Sequence, residues 1–440
     1  MDCICNSVKL CYFKPLENTG SSTVLHLKMT LNLLLFMNFD SYKELNTIAA
    51  YLQNETLLFR DNKVAQVALH TGLPGIILTL TAIRRQFPEL VDPVILRKYI
   101  DKVYTLLSES EAFYPSFSGG LAGYGFLLCQ LAAEQHIDLA DYKEVLEEID
   151  EIIADHLNDN LKANHVDILH GAMGMALYFI EKGESEYAEN VIDHLNKTAK
   201  REENRCYWSS FDHFKTKTYK IDFGLAHGNA GIQYFLAKCI RYNIQTDTCR
   251  KLLEESLNFY RYNSQDLGEI KSYYPTMLLE EHYLDGTAKP ETSRVAWCYG
   301  DLGILYTHLL LADVLEDAAL QVETITKLKQ VAGRRLIAET MHHDAGLCHG
   351  TAGLALLFKN SYDRTGEIMF RETADYWLQK TYEYKTGADP EMGYCLYDGG
   401  KRKDTDSSLL EGLSGVAAAY LATLSPAGNP LIDKAVFLSL

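Results

Sequence analysis

One short motif, Gly-x-x-Gly followed by an apolar run, recurs seven times along this chain and constrains its fold more than any other feature. The seven first glycines are Gly72, Gly120, Gly171, Gly228, Gly300, Gly350 and Gly412, which lie 48, 51, 57, 72, 50 and 62 residues apart. A single motif of this kind occurs by chance in many proteins. Seven copies at a near-regular interval indicate a repeat protein, in which every unit buries its apolar face against its neighbours.

Each repeat unit has room for a pair of helices. The run after each motif, for example MALYFI or VAAAYLATL, is apolar on all sides and is typical of a buried helix. The stretches 142–157 and 324–341 instead place apolar residues at three- and four-residue steps among charged neighbours, which is the pattern of a surface helix. A unit of about 50 residues accommodates two helices of roughly 15–20 residues and two loops. The glycines mark the loop that enters each buried helix, where a residue without Cβ allows close backbone approach.

Seven such hairpins bury all their apolar helices only if the series closes on itself. We therefore predict an all-α fold, an α/α toroid in which an inner barrel of seven helices stands inside an outer barrel of seven. The alternative is an open solenoid, which would expose the inner helices on one face. The stretch 206–223 is aromatic and β-branched with alternating polarity, and it predicts a short β-hairpin within the toroid.

The domain organisation follows from the same repeats. No linker-like stretch interrupts them, so we predict one domain over residues 37–440. Residues 1–36 are expected to be a poorly structured extension. The apolar run at 31–37 is short and lacks the small-residue cleavage site of a signal peptide. An alternative is that the functional chain begins at Met37.

The composition excludes several classes of protein. The 42 Lys and Arg against 59 Asp and Glu give a net charge of −17, without the basic cluster that nucleic-acid binding requires. No run reaches the roughly 18 apolar residues of a transmembrane helix. Ten cysteines in 440 residues are too sparse for a disulfide-stapled secreted scaffold, which favours reduced thiols and a cytoplasmic location.

The repeat also aligns residues with chemical function. The position just before the first glycine holds, among others, His170, His227, Tyr299, His349 and Glu411, and the position before that holds His70, Ala226, Cys298 and Cys348. In a closed ring, all of these residues face the same end of the axial cavity. Core packing does not favour His, Cys and Tyr at one repeat position, so we predict a functional site at this end.

Cys298, Cys348 and His349 form the most specific subset. Two thiolates and an imidazole are three zinc ligands, and a fourth position left for water or substrate is the arrangement of a catalytic zinc site. The two cysteines come from adjacent hairpins at equivalent positions, which favours a shared site. The alternative is two buried free cysteines, which are common in protein cores.

Other polar residues flank the aligned positions. Asp167 lies three residues before His170, and Arg294 lies four residues before Cys298. Both are candidate site residues, and the alternatives are a helix cap for the aspartate and an exposed surface position for the arginine. Three further histidines are expected to be hydrogen-bonded or exposed without a role in the site: His165, His342 and His343.

Four segments of the chain resemble the signature motifs of the lanthionine synthetase C (LanC) family, the cyclases of lanthipeptide biosynthesis. They are SRVAWCYG at 293–300, GLCHG at 346–350, GLAHG at 224–228 and LEGLSG at 410–415. The resemblance extends over about residues 70–415 and includes every repeat. It implies an α/α toroid and one zinc ion per chain, held by Cys298, Cys348 and His349.

The chemistry that this resemblance implies is intramolecular Michael addition. A cysteine thiolate of a dehydrated precursor peptide adds to dehydroalanine or dehydrobutyrine and closes a (methyl)lanthionine thioether ring. His227 matches the proposed acid of the family and Asp167 the residue that sets its protonation, while Arg294 and Tyr299 match further active-site positions. The chain has no room for a dehydratase. The resemblance therefore implies a separate dehydratase as a partner, and an exporter complex through which a cytoplasmic chain would associate with a membrane.

Three alternatives remain open. A LanC-like protein that adds glutathione to dehydrated residues of other proteins would use the same residues. A zinc-thiolate prenyltransferase on a helical toroid usually has Asp, Cys and His ligands, and the paired cysteines argue against it. A non-catalytic helical scaffold that binds a peptide would explain seven hairpins, but it would explain neither His, Cys and Tyr at one repeat position nor bound zinc.

Overall fold

The computed structural model describes residues 39–56, 63–109, 113–211, 217–268, 270–387, 392–398, 401–403, 406–425 and 428–440. The extension expected at 1–36 lies outside these residues. None of the helices in the described ranges is long and apolar enough to cross a membrane.

Within the described part of the chain, seven buried helices each begin directly after the first glycine of a motif. They are Leu73–Gln86, Leu121–Ala133, Ala172–Lys182, Asn229–Arg241, Asp301–Leu315, Thr351–Thr365 and Leu413–Leu424. They are buried on every side over most of their length, because the underlying runs are apolar all round. We call them the inner helices and number the hairpins one to seven in their order.

Seven amphipathic helices of the described residues surround this set and bury one face each. These outer helices are Ser41–Leu52, Pro93–Ser108, Lys143–Lys162, Glu186–Thr198, Thr246–Tyr262, Ala318–Ala332 and Ile368–Glu383. The stretch 324–341 departs from its prediction as one surface helix, because the outer helix ends at Ala332 and a short helix, Ile337–Thr340, follows. Between the two, Arg334 turns inward and binds the carboxylate of Asp301.

The inner helices form a closed ring. Each contacts the next along the chain, and the seventh, Leu413–Leu424, also contacts the first, Leu73–Gln86. The outer helix Ser41–Leu52 packs against the seventh inner helix, so the seventh hairpin joins segments from opposite ends of the described chain. Residues Ser41–Leu440 are thereby one compact unit. The closed α/α toroid is confirmed, and the open solenoid is wrong.

A belt of backbone hydrogen bonds links the hairpins at the end of the ring where the motifs lie. In each link, the N–H two residues before a first glycine donates to the carbonyl at the equivalent position of the neighbouring hairpin. The links are His70 to Ser118, Ser118 to Leu169, Ala226 to Cys298, Cys298 to Cys348, Cys348 to Leu410 and Leu410 to His70, with N–O distances of 2.9–3.3 Å. Equivalent repeat positions therefore lie at the same height around the axis.

Short β-strands occur between the helical repeats. Two antiparallel pairs are β1 (Lys200–Glu202) with β2 (Arg205–Tyr207), and β6 (Leu396–Asp398) with β7 (Lys401–Lys403). A third antiparallel sheet has the order β3 (Ser210–Phe211), β4 (Tyr219–Asp222) and β5 (Met277–Leu279). The hairpin predicted at 206–223 is present as β3 and β4, and β5 extends it. Short helical segments are Lys63–Gln66, Pro88–Leu90, Leu139–Tyr142, Glu280–Leu284 and Pro430–Ala435.

The C-terminal segment fills the centre of the ring. Phe437 is fully buried there. The aromatic rings around it, which come from four different hairpins, are His70, Phe117, Tyr234 and Trp297. The carbonyls of Ala435 and Val436 accept hydrogen bonds from His70 Nε2 and Trp297 Nε1, at 2.9 and 2.7 Å. The segment therefore connects the first and second hairpins with the fourth and fifth.

Phe437→Ala is expected to destabilise the toroid strongly. Truncation of a fully buried phenylalanine typically lowers the free energy of unfolding by about 3–5 kcal/mol, because it removes apolar contact and leaves a cavity. Urea-induced unfolding followed by circular dichroism measures the loss. Val322→Ala, at an outer-helix side chain that is 65% exposed, is the control and should unfold like the wild type. An unchanged midpoint for Phe437→Ala would show that the segment contributes little to closure.

Candidate metal centre and active site

The residues just before the first glycines form an arc at one end of the ring. The rings of His170 and His227 are stacked with centroids 5.7 Å apart, and the ring of Tyr299 lies 5.9 Å from that of His227. Further along the arc, His349 Nδ1 lies 3.4 Å from Glu411 Oε2. These residues come from hairpins three to seven, and the backbone belt holds the loops of hairpins four to seven in register.

The thiol of Cys348 lies within interaction distance of the thiol of Cys298. Their loops are neighbours in the belt, where Cys298 N donates to Cys348 O over 3.3 Å. The interaction with Cys348 lowers the pKa of Cys298 against the opposing effect of burial, and the positive charges of Arg294 and His227 lower it further. The pair therefore favours a thiolate at Cys298, the form in which sulfur binds a metal.

His349 adds a nitrogen donor beside this pair. Burial lowers the pKa of its imidazole to about 4, helped by the charges of Arg294 and His343, so the ring is neutral at pH 7. Its Nε2 lies 3.7 Å from Asp344 Oδ2, whereas its Nδ1 is buried without a hydrogen-bond partner among the described residues. A histidine that ligates a metal through one nitrogen usually turns the other towards a carboxylate or carbonyl. Nδ1 is thus the nitrogen available to a metal.

Glu411 extends the set of donor atoms. Its carboxylate, the Cys348 thiol and a ring nitrogen of His349 all lie within 4.8 Å of one another. Cys298 interacts with Cys348 but stands outside this group of mutually close atoms, which offers S, N and O donors, all of which zinc accepts. The paired thiols and the bare, neutral imidazole nitrogen fit zinc.

The sequence analysis placed Glu411 at the same repeat position as His349 but did not select it as a metal ligand. That shared position is the sequence signal that could have identified it. Asp344 was missed because it stands outside the aligned positions.

His227 and Asp167 form a hydrogen-bonded pair further along the arc. His227 Nδ1 lies 2.7 Å from Asp167 Oδ2. Burial opposes the ionisation of Asp167, but the hydrogen bond and charge of His227 outweigh it, and the pKa of the carboxyl is lowered. Burial likewise opposes protonation of His227, but Asp167 outweighs it and raises the pKa of the imidazole. Both shifts favour a carboxylate on Asp167 and an imidazolium on His227 over the neutral pair. The His227 side chain stays 35% exposed, which leaves Nε2 for a substrate.

Asp167 is not the cap of the third inner helix, which begins directly after Gly171, but it binds the loop that precedes this helix. Its Oδ1 accepts the backbone N–H groups of Leu169 and His170 at 2.8 Å, as a capping residue does. Its Oδ2 binds His227. One carboxylate thus fixes both the loop and the orientation of the imidazole.

The loop 293–300 carries Arg294 and Tyr299 and is anchored by a buried ion pair. Arg334 Nη1 lies 2.8 Å from Asp301 Oδ2, and Arg334 Nη2 donates to the carbonyl of Ser293 at 2.7 Å. This anchor holds both ends of the loop, because Asp301 begins the fifth inner helix directly after it.

Gly300 lets this loop turn into the helix. Its φ is +86°, and a Cβ would overlap the carbonyl oxygen of Arg294, so only glycine fits. Arg294 is half-buried rather than an exposed surface arginine, and its charge acts on Cys298 and His349. Burial raises the pKa of Tyr299, with the charge of Asp222 adding, so its phenol keeps its proton.

A cavity of about 500 Å³ opens beside the His227–Asp167 pair, and we call it the first cavity. Tyr299 and both members of the pair line it on the side of the inner ring. The side chains that the β-strand region contributes include Trp208, Phe211, Lys220 and Asp222. Sequence reasoning gave these four no role, because strand pairing rather than spacing in the helical repeat brings them here.

The three remaining candidate histidines are hydrogen-bonded or exposed. His165 Nδ1 lies 2.6 Å from Asn160 Oδ1, and His342 Nδ1 lies 2.6 Å from Thr340 Oγ1. His343 is exposed. His165 nevertheless lines the first cavity, so its ring borders the site.

Comparison with known proteins places this geometry in a family. A family model described as lanthionine synthetase C-like protein matches residues 63–435. The chain belongs to the lanthionine synthetase C-like family. The match spans all seven motifs and every candidate site residue, and it confirms the resemblance of the four signature segments.

Individual proteins agree with this assignment to the LanC-like family. The nisin biosynthesis protein NisC of Lactococcus lactis subsp. lactis is 22% identical over 313 residues, which cover 66% of this chain and 72% of that protein. Among solved structures, nisin cyclase aligns with a TM-score of 0.71 at 19% identity, covering 89% of this chain and 96% of that one. The structural likeness concerns the fold, which is the LanC-like toroid.

Proposed function

We propose that this LanC-like protein is a zinc-dependent cyclase that forms (methyl)lanthionine rings in a dehydrated precursor peptide. One observation carries the proposal: the donors Cys298, Cys348 and His349 stand on the same arc as the His227–Asp167 pair. A thiol-binding cluster beside a proton donor suits the addition of a thiol to an activated alkene. Family membership and the relative named for nisin biosynthesis support the same reaction.

Cys298, Cys348 and His349 would hold one zinc ion, with His349 binding through Nδ1. When bound, zinc would lower the pKa of the substrate's cysteine thiol, so that its sulfur is a thiolate at neutral pH. Asp344, which lies at Nε2, would keep the imidazole oriented.

The residues of the chain account for the remaining steps. The sulfur of the peptide cysteine adds to the β-carbon of the dehydro residue, and the π electrons move to the amide carbonyl oxygen as an enolate. The positive charge of Arg294 and the phenol of Tyr299 stabilise this developing negative charge. The proton on Nε2 of His227 then passes to the α-carbon and completes the thioether. Asp167 holds Nδ1 and so favours the protonated imidazole that this step needs.

The partners follow from the same reaction. The substrate peptide must arrive with dehydroalanine or dehydrobutyrine, so a separate dehydratase acts first, and an exporter complex would bring the chain to a membrane. A net charge of −17 suits a peptide that carries lysines. The cytoplasm is the proposed location, because ten cysteines in 440 residues are too sparse for a disulfide-stapled secreted protein.

Incubation of the purified protein with a dehydrated peptide that contains one cysteine tests the proposal. Ring closure by addition leaves the peptide mass unchanged but removes its free thiol, so we expect loss of alkylation by N-ethylmaleimide without a mass shift. Parallel reactions with glutathione and a cysteine-free dehydrated peptide distinguish the glutathione-adding alternative, which predicts a glutathione adduct. If the thiol stays alkylatable and no adduct forms, the cyclase proposal is wrong.

A further inference from the structure

A second cavity, of about 530 Å³, opens at the same end of the ring. The side chains that form it come from hairpins one to three and include Ala68, Thr71, Tyr114, Pro115 and His170. His170 lines the second cavity and its stacking partner His227 lines the first, so the stacked pair separates the two. His165 lines both, which makes the two cavities neighbours along one rim.

The two cavities differ in chemistry. The first contains the charged side chains of Asp167, Lys220 and Asp222. Among the described residues that line the second, none is Asp, Glu, Lys or Arg. Tyr114 lines it with 66% of its surface exposed, so that its ring is accessible to a ligand in the cavity. The second cavity is therefore suited to an apolar side chain rather than to an ion or a charged group.

The order of hairpins around the ring relates this cavity to the reaction. The thiol-binding donors lie on hairpins five and six, and the proton donor His227 lies on hairpin four. A dehydro residue must therefore lie near hairpin four, with the peptide cysteine on its hairpin-five side. Beyond the dehydro residue, the peptide chain then runs past His170 towards hairpins three to one. The next side chain of the peptide therefore lies at the second cavity.

We propose that the second cavity is a subsite for an apolar side chain of the substrate peptide, next to the residue that accepts the thiol. The proposal rests on the proposed cyclase function, since it takes the position of the acceptor residue from that function. The volume is enough for a leucine or an aromatic side chain together with adjoining backbone. The subsite selects which dehydro residue enters the site, because only one with an apolar neighbour gains this burial.

Thr71→Trp tests the subsite with little risk to the fold. Thr71 occupies the same repeat position as His170, His227 and Glu411, so the position tolerates large side chains that face the end of the ring. It is exposed and lines the second cavity, which a tryptophan would fill. With a dehydrated peptide that carries leucine beside the dehydro residue, we expect KM for cyclisation to rise tenfold or more, with kcat nearly unchanged.

Two further measurements make the result specific. The addition of a simple thiol to a dehydroalanine amide without neighbouring residues should proceed at the wild-type rate in Thr71→Trp. The matched control is Thr326→Trp, on the exposed face of an outer helix, and it should leave both reactions unchanged. A second variant, Tyr114→Asp, should raise KM for the leucine peptide. It should lower KM for a peptide that carries lysine in place of the leucine.

The outcomes separate this proposal from the cyclase function. If the folded Thr71→Trp and Tyr114→Asp variants cyclise the leucine peptide with wild-type KM, the subsite is wrong while the function stands. If the wild-type protein acts on neither the peptide nor the simple amide, the function itself fails. A loss of the simple-amide reaction in Thr71→Trp would instead mean that the tryptophan disturbs the catalytic arc, and would contradict a separate subsite.

Discussion

Cys348→Ala is expected to remove bound zinc and with it cyclase activity. The wild-type protein should contain about one zinc ion per chain, and the variant almost none. Cys348 is central to the donor set, since its thiol interacts with that of Cys298 and lies beside both His349 and Glu411. Loss of one of two thiolates leaves too few ligands for a tight zinc site. Because a bound metal would supply several kcal/mol of charge stabilisation, we expect the rate to fall about a thousandfold or more.

Metal content by mass spectrometry, on protein purified under reducing conditions, measures the first effect, and the thiol-alkylation assay measures the second. Cys129→Ala is the matched control, since it removes a buried thiol from an inner helix without touching the donor set. It should retain zinc and activity. Wild-type protein without zinc, or a Cys348→Ala variant that keeps it, would contradict the metal centre and leave a helical toroid whose function is to bind.

His227→Gln is expected to lower kcat by about a hundredfold to ten-thousandfold while zinc content stays at one per chain. The glutamine keeps a polar side chain at the mouth of the first cavity but cannot deliver a proton to the α-carbon. The loss should therefore appear in kcat rather than in KM. His156→Gln, at an exposed outer-helix histidine, is the control and should behave like the wild type. A His227→Gln variant with full activity would exclude this residue as the acid.

The pH profile gives a second measurement of the same role. An acid must be protonated, so kcat should fall as the pH rises through the pKa of His227. Asp167 raises that pKa through its hydrogen bond and charge, against the opposing effect of burial. In Asp167→Asn the fall should therefore occur at lower pH than in the wild type, with zinc content unchanged. If kcat of Asp167→Asn falls at the same pH as in the wild type, Asp167 does not act on His227. Its role would then be to bind the loop through Oδ1.

The fold and the register of the site were accessible from sequence because both depend on local periodicity. The glycine motif marks where each inner helix begins, and the apolar run after it predicts that the helix is buried. Once the ring is assumed closed, equal repeat positions imply equal height, and the backbone belt shows the physical reason. Cys298 and Cys348 could therefore be predicted as neighbours although 50 residues separate them.

Tertiary structure alone decided the features that repeat spacing does not encode. The seventh hairpin takes its outer helix from Ser41–Leu52, which no glycine motif marks. Phe437 reaches the centre of the ring because the last segment folds back into it, and the second cavity forms where side chains of three hairpins meet. The nitrogen that His349 offers depends on Asp344, six residues before a first glycine. Sequence periodicity determines which residues share a level of the ring, whereas side-chain direction and long-range closure depend on atoms that meet only after folding.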